Sequence, residues 1–265
     1  MENKEKLFLK VGDRVMFKPK VEGLEYNLEA GKVYTVEVDN WSDAISFKIV
    51  PDLVMPEKLY ETEDSTKFIN KVINYFNKST DGTTGVMLSG LKGSGKTITA
   101  KNIALHSNLP IILIDKSFRS ELISKLFNLL ENVPACIMFD EIDKLGKHYA
   151  DDYLLKVLDG ANTCGKKLFL CTCNDTDAIN EYLKDRCSRI RYWKKFDEVS
   201  PSLITEILND KLNDKSEVGA LTDFIVEKFE CASFDNIVSF ADEVNEYPTA
   251  SFEELLADMN LSTKQ

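Results

Sequence analysis

Residues 90–97 read GLKGSGKT and match the phosphate-binding pattern GxxxxGK[ST] without a mismatch. The segment follows the apolar run GVMLSG and precedes a helical pattern, which is the context that this pattern requires. Its glycines allow backbone N–H groups to face phosphate oxygens, and the following helix adds its positive end. A nucleotide phosphate site is therefore predicted at Gly90, Leu91, Lys92, Gly93, Ser94, Gly95, Lys96, Thr97 and Ile98.

Two side chains of this loop have predicted roles of their own. Lys96 is expected to neutralise the β- and γ-phosphates, and the hydroxyl of Thr97 is expected to hold Mg²⁺. The alternative is a chance glycine-rich turn. It is disfavoured because strand, loop and helix all agree with the pattern.

The segment ACIMFDEIDK, residues 135–144, predicts a buried strand that ends in two acids, as in a Walker B segment. Asp140 is expected to hold the metal through water. Glu141 is expected to polarise the attacking water as a general base, which favours hydrolysis over binding alone. Two acids at a strand end are otherwise often a solvated turn, but the upstream phosphate loop makes that interpretation the weaker one.

Three segments are predicted along the chain. Short alternating runs separated by glycines indicate a small β-barrel or sandwich over residues 1–58, suited to docking or subunit contact. Apolar runs of strand length alternate with helical patterns over 59–196, which is typical of an α/β fold with a parallel sheet. Helical spacing over 197–265 predicts a small C-terminal bundle of helices.

Charge is distributed unevenly along the chain, whose formal net charge is −11. From Asp197 onward there are 16 acidic residues and 4 lysines, so this part carries −12 and the rest sums to +1. A nucleic-acid-binding protein normally shows a basic patch. Binding to nucleic acid is therefore disfavoured, although it is left open.

Cysteine usage and hydropathy favour a cytoplasmic protein without a membrane segment. No apolar run approaches the roughly 20 residues that a membrane-spanning helix needs, and the first residues lack a signal-peptide core. The six cysteines form no CxxC pair and are interpreted as reduced core thiols. Cys171 and Cys173 are predicted to share one face of a strand.

From about Leu59 to Tyr247 the chain resembles the AAA+ ATPases, a group of P-loop NTPases, and within them the AAA subgroup. LLKVLDG, residues 154–160, resembles the helix that follows Walker B in that family. Asn174, at the end of LFLCTCN, matches the sensor 1 position, which holds the attacking water. The resemblance implies ATP as the nucleotide, a C-terminal helical lid and a homo-oligomeric ring of six subunits.

The stretch YLKDRCSRIRY, residues 182–192, carries two arginines three positions apart. Arg186 and Arg189 match the R-P-G-R motif of the AAA subgroup, with Cys187 and Ser188 in place of its Pro-Gly pair. The resemblance implies that they act as arginine fingers on the nucleotide of the next subunit. Which of the two is the main finger is left open, and for either one alone an ordinary surface ion pair is the alternative.

The function expected from this resemblance is ATP-driven remodelling or translocation of a protein partner that docks on the N-terminal β domain. Two alternatives stay open: a clamp-loader-like or initiator-like switch that acts on DNA, and a ring scaffold that nucleotide merely stabilises. For threading through a pore, Phe118 is the leading aromatic candidate and Tyr149 a weaker one, but Phe118 fits a core position equally well. The compact size also resembles small AAA ATPases of bacteriophages.

Overall fold

The computed structural model describes these residues: 7–11, 14–18, 28–39, 41, 43–60, 63–79, 82–114, 118–119, 122–145, 158, 166–178 and 187–264. Its strands are β1 Leu7–Val11, β2 Arg14–Lys18, β3 Val33–Val38, β4 Ile45–Val50, β5 Thr83–Gly90, β6 Ile111–Ile114, β7 Ala135–Phe139, β8 Lys167–Cys173 and β9 Tyr192–Phe196. Its α-helices are α1 Glu63–Lys78, α2 Lys96–His106, α3 Ile123–Leu129, α4 Pro201–Lys211, α5 Val218–Lys228, α6 Phe234–Glu246 and α7 Phe252–Asp258.

A seven-stranded sheet in the order β4-β3-β6-β7-β8-β5-β9 forms the centre of the fold. All neighbouring strands are parallel except β3 and β4, which form an antiparallel hairpin. Strands β5 to β8 are almost continuously buried because helices cover both faces of the sheet. The predicted α/β class with a parallel sheet is confirmed.

The N-terminal strands differ from the expected barrel. β3 pairs in parallel with β6, with Val33 opposite Ile111, and β3 and β4 therefore extend the central sheet. β1 and β2 pair with each other in a separate two-stranded sheet. Alternating apolar residues identify strands but not their partners, which is why the sequence pattern did not reveal this pairing. The segment limits 1–58, 59–196 and 197–265 stay predictions.

Two apolar layers sandwich the central sheet. One layer lies under α1 and α2 and includes Val72, Phe76 and Ile103. The other lies under α3 and includes Phe127 and Phe118. Because Phe118 is only 6% exposed, it is a core side chain, as one of the two sequence interpretations held, and not a pore contact. Tyr149 lies outside the described residues.

The C-terminal bundle has an apolar core of its own, built from α4 to α7. The rings of Phe224 and Phe240 stack with centroids 5.8 Å apart, and Phe252 packs against both. Ser251 and Glu254 form a capping box that fixes the start of α7. These contacts confirm the helical character that the spacing of apolar residues predicted for this part.

The cysteines follow the prediction only in part. Cys136, Cys171 and Cys173 are buried, and the last two pack in the same core layer. Cys187 is exposed, so its interpretation as a core thiol is wrong. Cys164 lies outside the described residues. In the described part of the chain, the helices are too short or too polar to cross a membrane.

Candidate functional site

The phosphate loop connects β5 to α2, at one end of the parallel sheet. Gly90, Gly93 and Gly95 have φ angles of 129°, 72° and 92°, a region that other residues adopt only with strain. A Cβ atom on Gly90 would lie 2.0 Å from the carbonyl oxygen of Phe196. The hydroxyl of Ser94 donates to the carbonyl of Leu91 at 2.6 Å. The glycines are therefore what allows this chain to fold into a loop at this point.

Lys96 lies inside the loop, with a relative exposure of 6%. Its ammonium donates to the carbonyl of Gly90 at 2.9 Å and to the carbonyl of Leu91. Burial lowers the pKa of Lys96, and nearby acidic groups, including Asp143 and Asp140, oppose that shift. A bound phosphate would compensate the buried positive charge more fully than two carbonyl dipoles can.

Asp140 follows β7 directly and faces the first turn of α2. Its Oδ1 accepts hydrogen bonds from the hydroxyl of Thr97 at 3.0 Å and from the hydroxyl of Thr172 at 2.6 Å. The two predicted metal ligands are thus brought into contact. A hydroxyl and a carboxylate are the oxygen ligands that Mg²⁺ accepts when phosphate oxygens and water complete its shell, so the residues fit this ion.

Glu141 and Asn174 meet beside this pair, because β7 and β8 are parallel neighbours whose ends lie at the same edge of the sheet. The side-chain amide of Asn174 donates to Oε1 of Glu141 at 3.0 Å. Lys144 forms an ion pair with Oε2 of the same carboxylate at 2.6 Å. Glu141 has a φ of 53°, a left-handed conformation that costs about 1–3 kcal/mol for a residue of this kind. Its carboxylate is thus held in a fixed place.

The C-terminal bundle contacts the phosphate loop directly. The backbone N–H of Phe234, at the start of α6, donates to the carbonyl of Gly93 at 3.0 Å. A Cβ on Gly93 would lie 2.8 Å from a carboxylate oxygen of Asp235 and 3.1 Å from the hydroxyl of Ser233. Loop and bundle enclose a cleft of about 940 Å³, which the phosphate loop, Asp140, Glu141 and Asn174 line together.

A family model described as the ATPase family associated with various cellular activities (AAA) matches residues 86–195. Residues 86–195 are an AAA ATPase domain. This AAA domain contains the phosphate loop, the acidic pair and the sensor 1 position that the sequence predicted, and it ends in β9.

Several curated proteins are similar to parts of the chain. The ATP-dependent zinc metalloprotease FtsH 1 of Petrotoga mobilis is 26% identical over 183 residues, which cover 61% of this chain and 28% of that protein. The ATPase family gene 2 protein of Schizosaccharomyces pombe is 30% identical over 119 residues, covering 38% and 15%. The chloroplastic metalloprotease FTSH 12 of Arabidopsis thaliana is 32% identical over 95 residues, covering 32% and 9%. The chain therefore spans less than a third of the length of these relatives.

The structure describes only one of the two predicted arginine fingers. Arg186 lies outside the described residues of the AAA domain. Arg189 is 7% exposed, and its carbonyl packs against Gly85 of β5. The guanidinium of Arg191 lies 3.7 Å from the ring centroid of Tyr75. Among the described residues that line the cleft there are six lysines and no arginine.

Sequence reasoning missed three contributors to the site of the AAA domain. Thr172 bridges the two acids, since it also accepts the backbone N–H of Glu141 at 2.8 Å. Its position could have been found, because it lies two residues before Asn174 and therefore on the same face of the strand. Tyr60 and Phe234 also line the cleft, with ring centroids 5.8 Å apart. Burial and a hydrogen bond with Asp210 raise the pKa of Tyr60 to about 12.

Proposed function

We propose that the chain binds ATP with Mg²⁺ in this cleft and hydrolyses it as part of a homo-oligomer. The observation that carries the proposal is the convergence of three groups at one sheet edge. Lys96 lies under the phosphate loop, Thr97 contacts Asp140, and Asn174 contacts Glu141. These are the groups that phosphoryl transfer to water needs: phosphate neutralisation, metal binding and orientation of the nucleophile.

Each group has a distinct part in the proposed reaction. Thr97 and Asp140 would hold Mg²⁺, which supplies charge neutralisation at the phosphates. Glu141 accepts a hydrogen bond from the attacking water and orients it, while Asn174 holds the carboxylate and the water in register. Lys96 loses its carbonyl partners and pairs with the phosphates. The pairs that these roles require, Thr97 with Asp140 and Asn174 with Glu141, already lie within hydrogen-bonding distance.

The missing element is a mobile positive charge that can stabilise the transferred phosphoryl group. Six lysines but no arginine occur among the described residues lining the cleft. We infer that a neighbouring subunit supplies the arginine, which makes hydrolysis depend on assembly. Arg186 and Arg189 are the candidates, and the burial of Arg189 favours Arg186. AAA proteins commonly oligomerise, and a ring of six subunits is the proposed assembly.

Two variants of the acidic and basic groups test the proposal. Lys96→Ala should lose binding of a fluorescent ATP analogue, because the phosphates lose their main counter-charge. Glu141→Gln should keep that binding and lose phosphate release by roughly 100-fold or more, the scale on which positioned general bases act. Glu131→Gln, an exposed carboxylate in the turn between α3 and β7, serves as a matched control and should behave as wild type. Wild-type phosphate release in Glu141→Gln would contradict the role of Glu141 as general base, and absence of phosphate release from the wild-type protein would favour a nucleotide-stabilised scaffold.

The biological role that we propose is remodelling or translocation of a protein partner in the cytoplasm. Support comes from the AAA domain and from the N-terminal residues outside it, which offer the β1–β2 hairpin as a docking element. A DNA-acting switch is the alternative. Stimulation of phosphate release by DNA, with no stimulation by any unfolded protein tested, would favour that alternative over remodelling.

A further inference from the structure

A basic surface arises where α1 packs beside β9, although neither segment carries a large positive charge by itself. Residues 65–79 and 187–196 together contain seven Lys or Arg residues and no Asp or Glu. β9 is the last strand of the sheet, so this surface lies at the outer edge of the AAA domain. We call these two segments the basic face.

Aromatic rings hold the cations of the basic face in place. The Lys71 ammonium lies 5.6 Å from the ring centroid of Tyr192, and the Lys194 ammonium lies 5.2 Å from that of Phe68. The Arg191 guanidinium covers the ring of Tyr75 at 3.7 Å. The rings also contact one another, with Tyr192 edge-on to Phe68 and to Tyr75. These cation–π contacts preorganise the charges and so lower the entropic cost of pairing them with a partner.

An acidic surface lies on the C-terminal bundle. Residues 242–258, from the second half of α6 through α7, contain six Asp or Glu residues and no Lys or Arg. Asp242 and Glu246 are exposed one turn apart on α6, and Tyr247, next along, is 52% exposed. We call residues 242–258 the acidic edge.

We propose that the basic face of one copy of this chain binds the acidic edge of a second copy. Charge complementarity supports this choice, because Lys71, Lys194 and Arg191, each held over an aromatic ring, would meet the carboxylates of the acidic edge. Tyr247, on the acidic edge, supplies the kind of exposed aromatic side chain that dominates binding energy. This inference deepens the proposed oligomer and rests on it, but it does not rest on hydrolysis.

A nucleic acid is the competing occupant of the basic face, and the aromatic rings argue against it. Single strands bind by stacking bases on exposed aromatic rings. Here Lys71, Lys194 and Arg191 lie over the rings and would have to leave before a base could stack. Carboxylates require no such rearrangement, because they pair with the cations where they are.

The two surfaces are different patches, so their pairing is head-to-tail. Such contacts produce a closed ring or a filament, and not a symmetric dimer. Since charges dominate the contact, association should weaken as ionic strength shortens the Debye length from about 10 Å at 0.1 M to about 3 Å at 1 M.

Charge reversal tests the pairing. Lys71→Glu/Lys78→Glu and Asp242→Lys/Glu246→Lys should each weaken self-association by roughly tenfold or more, because like charges then face each other. The quadruple variant, which exchanges the charges, should recover most of the association. Mass is measured by analytical ultracentrifugation with the full chain and a slowly hydrolysed ATP analogue. Lys71→Gln/Lys78→Gln, with thermal unfolding, separates a charge effect from misfolding and should give an intermediate loss.

Three results would overturn the inference. They are unchanged association in either reversal, a quadruple variant that associates no better than the double variants, and tight wild-type binding of a thymidine oligonucleotide that the basic-face reversal abolishes. Binding of a fluorescent ATP analogue is measured in every variant. It should stay at the wild-type level, so loss of association alone is distinguished from failure of the proposed nucleotide site.

Discussion

Replacing Thr172 by Val should disconnect the two acids of the site while keeping the shape of the side chain. The Thr172 hydroxyl donates to Asp140 at 2.6 Å and accepts the backbone N–H of Glu141 at 2.8 Å, and the residue is 2% exposed. A hydrogen bond to a charged group contributes about 1.5–3 kcal/mol, and the unpaired N–H of Glu141 adds to the loss. If the transition state depends on both acids, phosphate release should fall roughly 10- to 100-fold.

The assay is steady-state phosphate release across ATP and Mg²⁺ concentrations, together with urea unfolding. Because Thr172 positions the acids and does not itself contact the reacting atoms in our proposal, kcat should fall more than KM rises. The Mg²⁺ concentration for half-maximal activity should also increase. Thr172→Ser keeps the hydroxyl and should restore most of the activity. Phosphate release within twofold of wild type in Thr172→Val would refute the bridging role.

Three further predictions concern stability and thiol chemistry. Gly90→Ala should destabilise the fold by about 3 kcal/mol in urea unfolding, since its Cβ would meet a carbonyl oxygen at 2.0 Å; a loss below the error of the measurement would contradict the tight approach. A hydrogen bond from Lys58 lowers the pKa of Asp210, so this carboxyl contributes stability above its unfolded pKa and loses it as pH falls through the lower folded pKa. Lys58→Met should therefore lose less stability than wild type when urea midpoints are compared from about pH 5 down to about pH 2, and parallel pH curves would argue against the pairing. Exposed Cys187 should react with a thiol reagent in the folded protein, whereas Cys171, whose pKa burial raises to about 12, should react only after unfolding.

The phosphate loop and the acidic pair could be predicted from sequence because their chemistry is local. Eight consecutive residues specify the loop, and two consecutive acids end one apolar strand. Their meeting also follows from parallel pairing, since the ends of neighbouring strands share one sheet edge. Asn174, which the family resemblance marks as sensor 1, lies beside Glu141 for the same physical reason.

Features that depend on distant pairing could not be predicted in this way. The sequence shows that β3 is a strand, but nothing local indicates that its partner is β6, almost 80 residues later in the chain. The basic face likewise forms only when folding brings distant parts of the chain together. Its charges are separated along the chain by more than 100 residues, and the nearly neutral sum over residues 1–196 conceals them. Charge counts along a sequence therefore miss surfaces that folding assembles.

The hydrogen bond between the N–H of Phe234 and the carbonyl of Gly93 joins main chain to main chain. Neither atom of the bond belongs to a side chain, so replacing the Phe234 ring leaves the bond possible, whereas a side chain on Gly93 would meet Asp235 and Ser233 of the bundle. A helix start is thereby fastened to the turn that would surround a triphosphate. Motion of the helix start therefore requires motion of the loop. Because backbone atoms form the link, this coupling does not depend on the chemical type of the side chains around it.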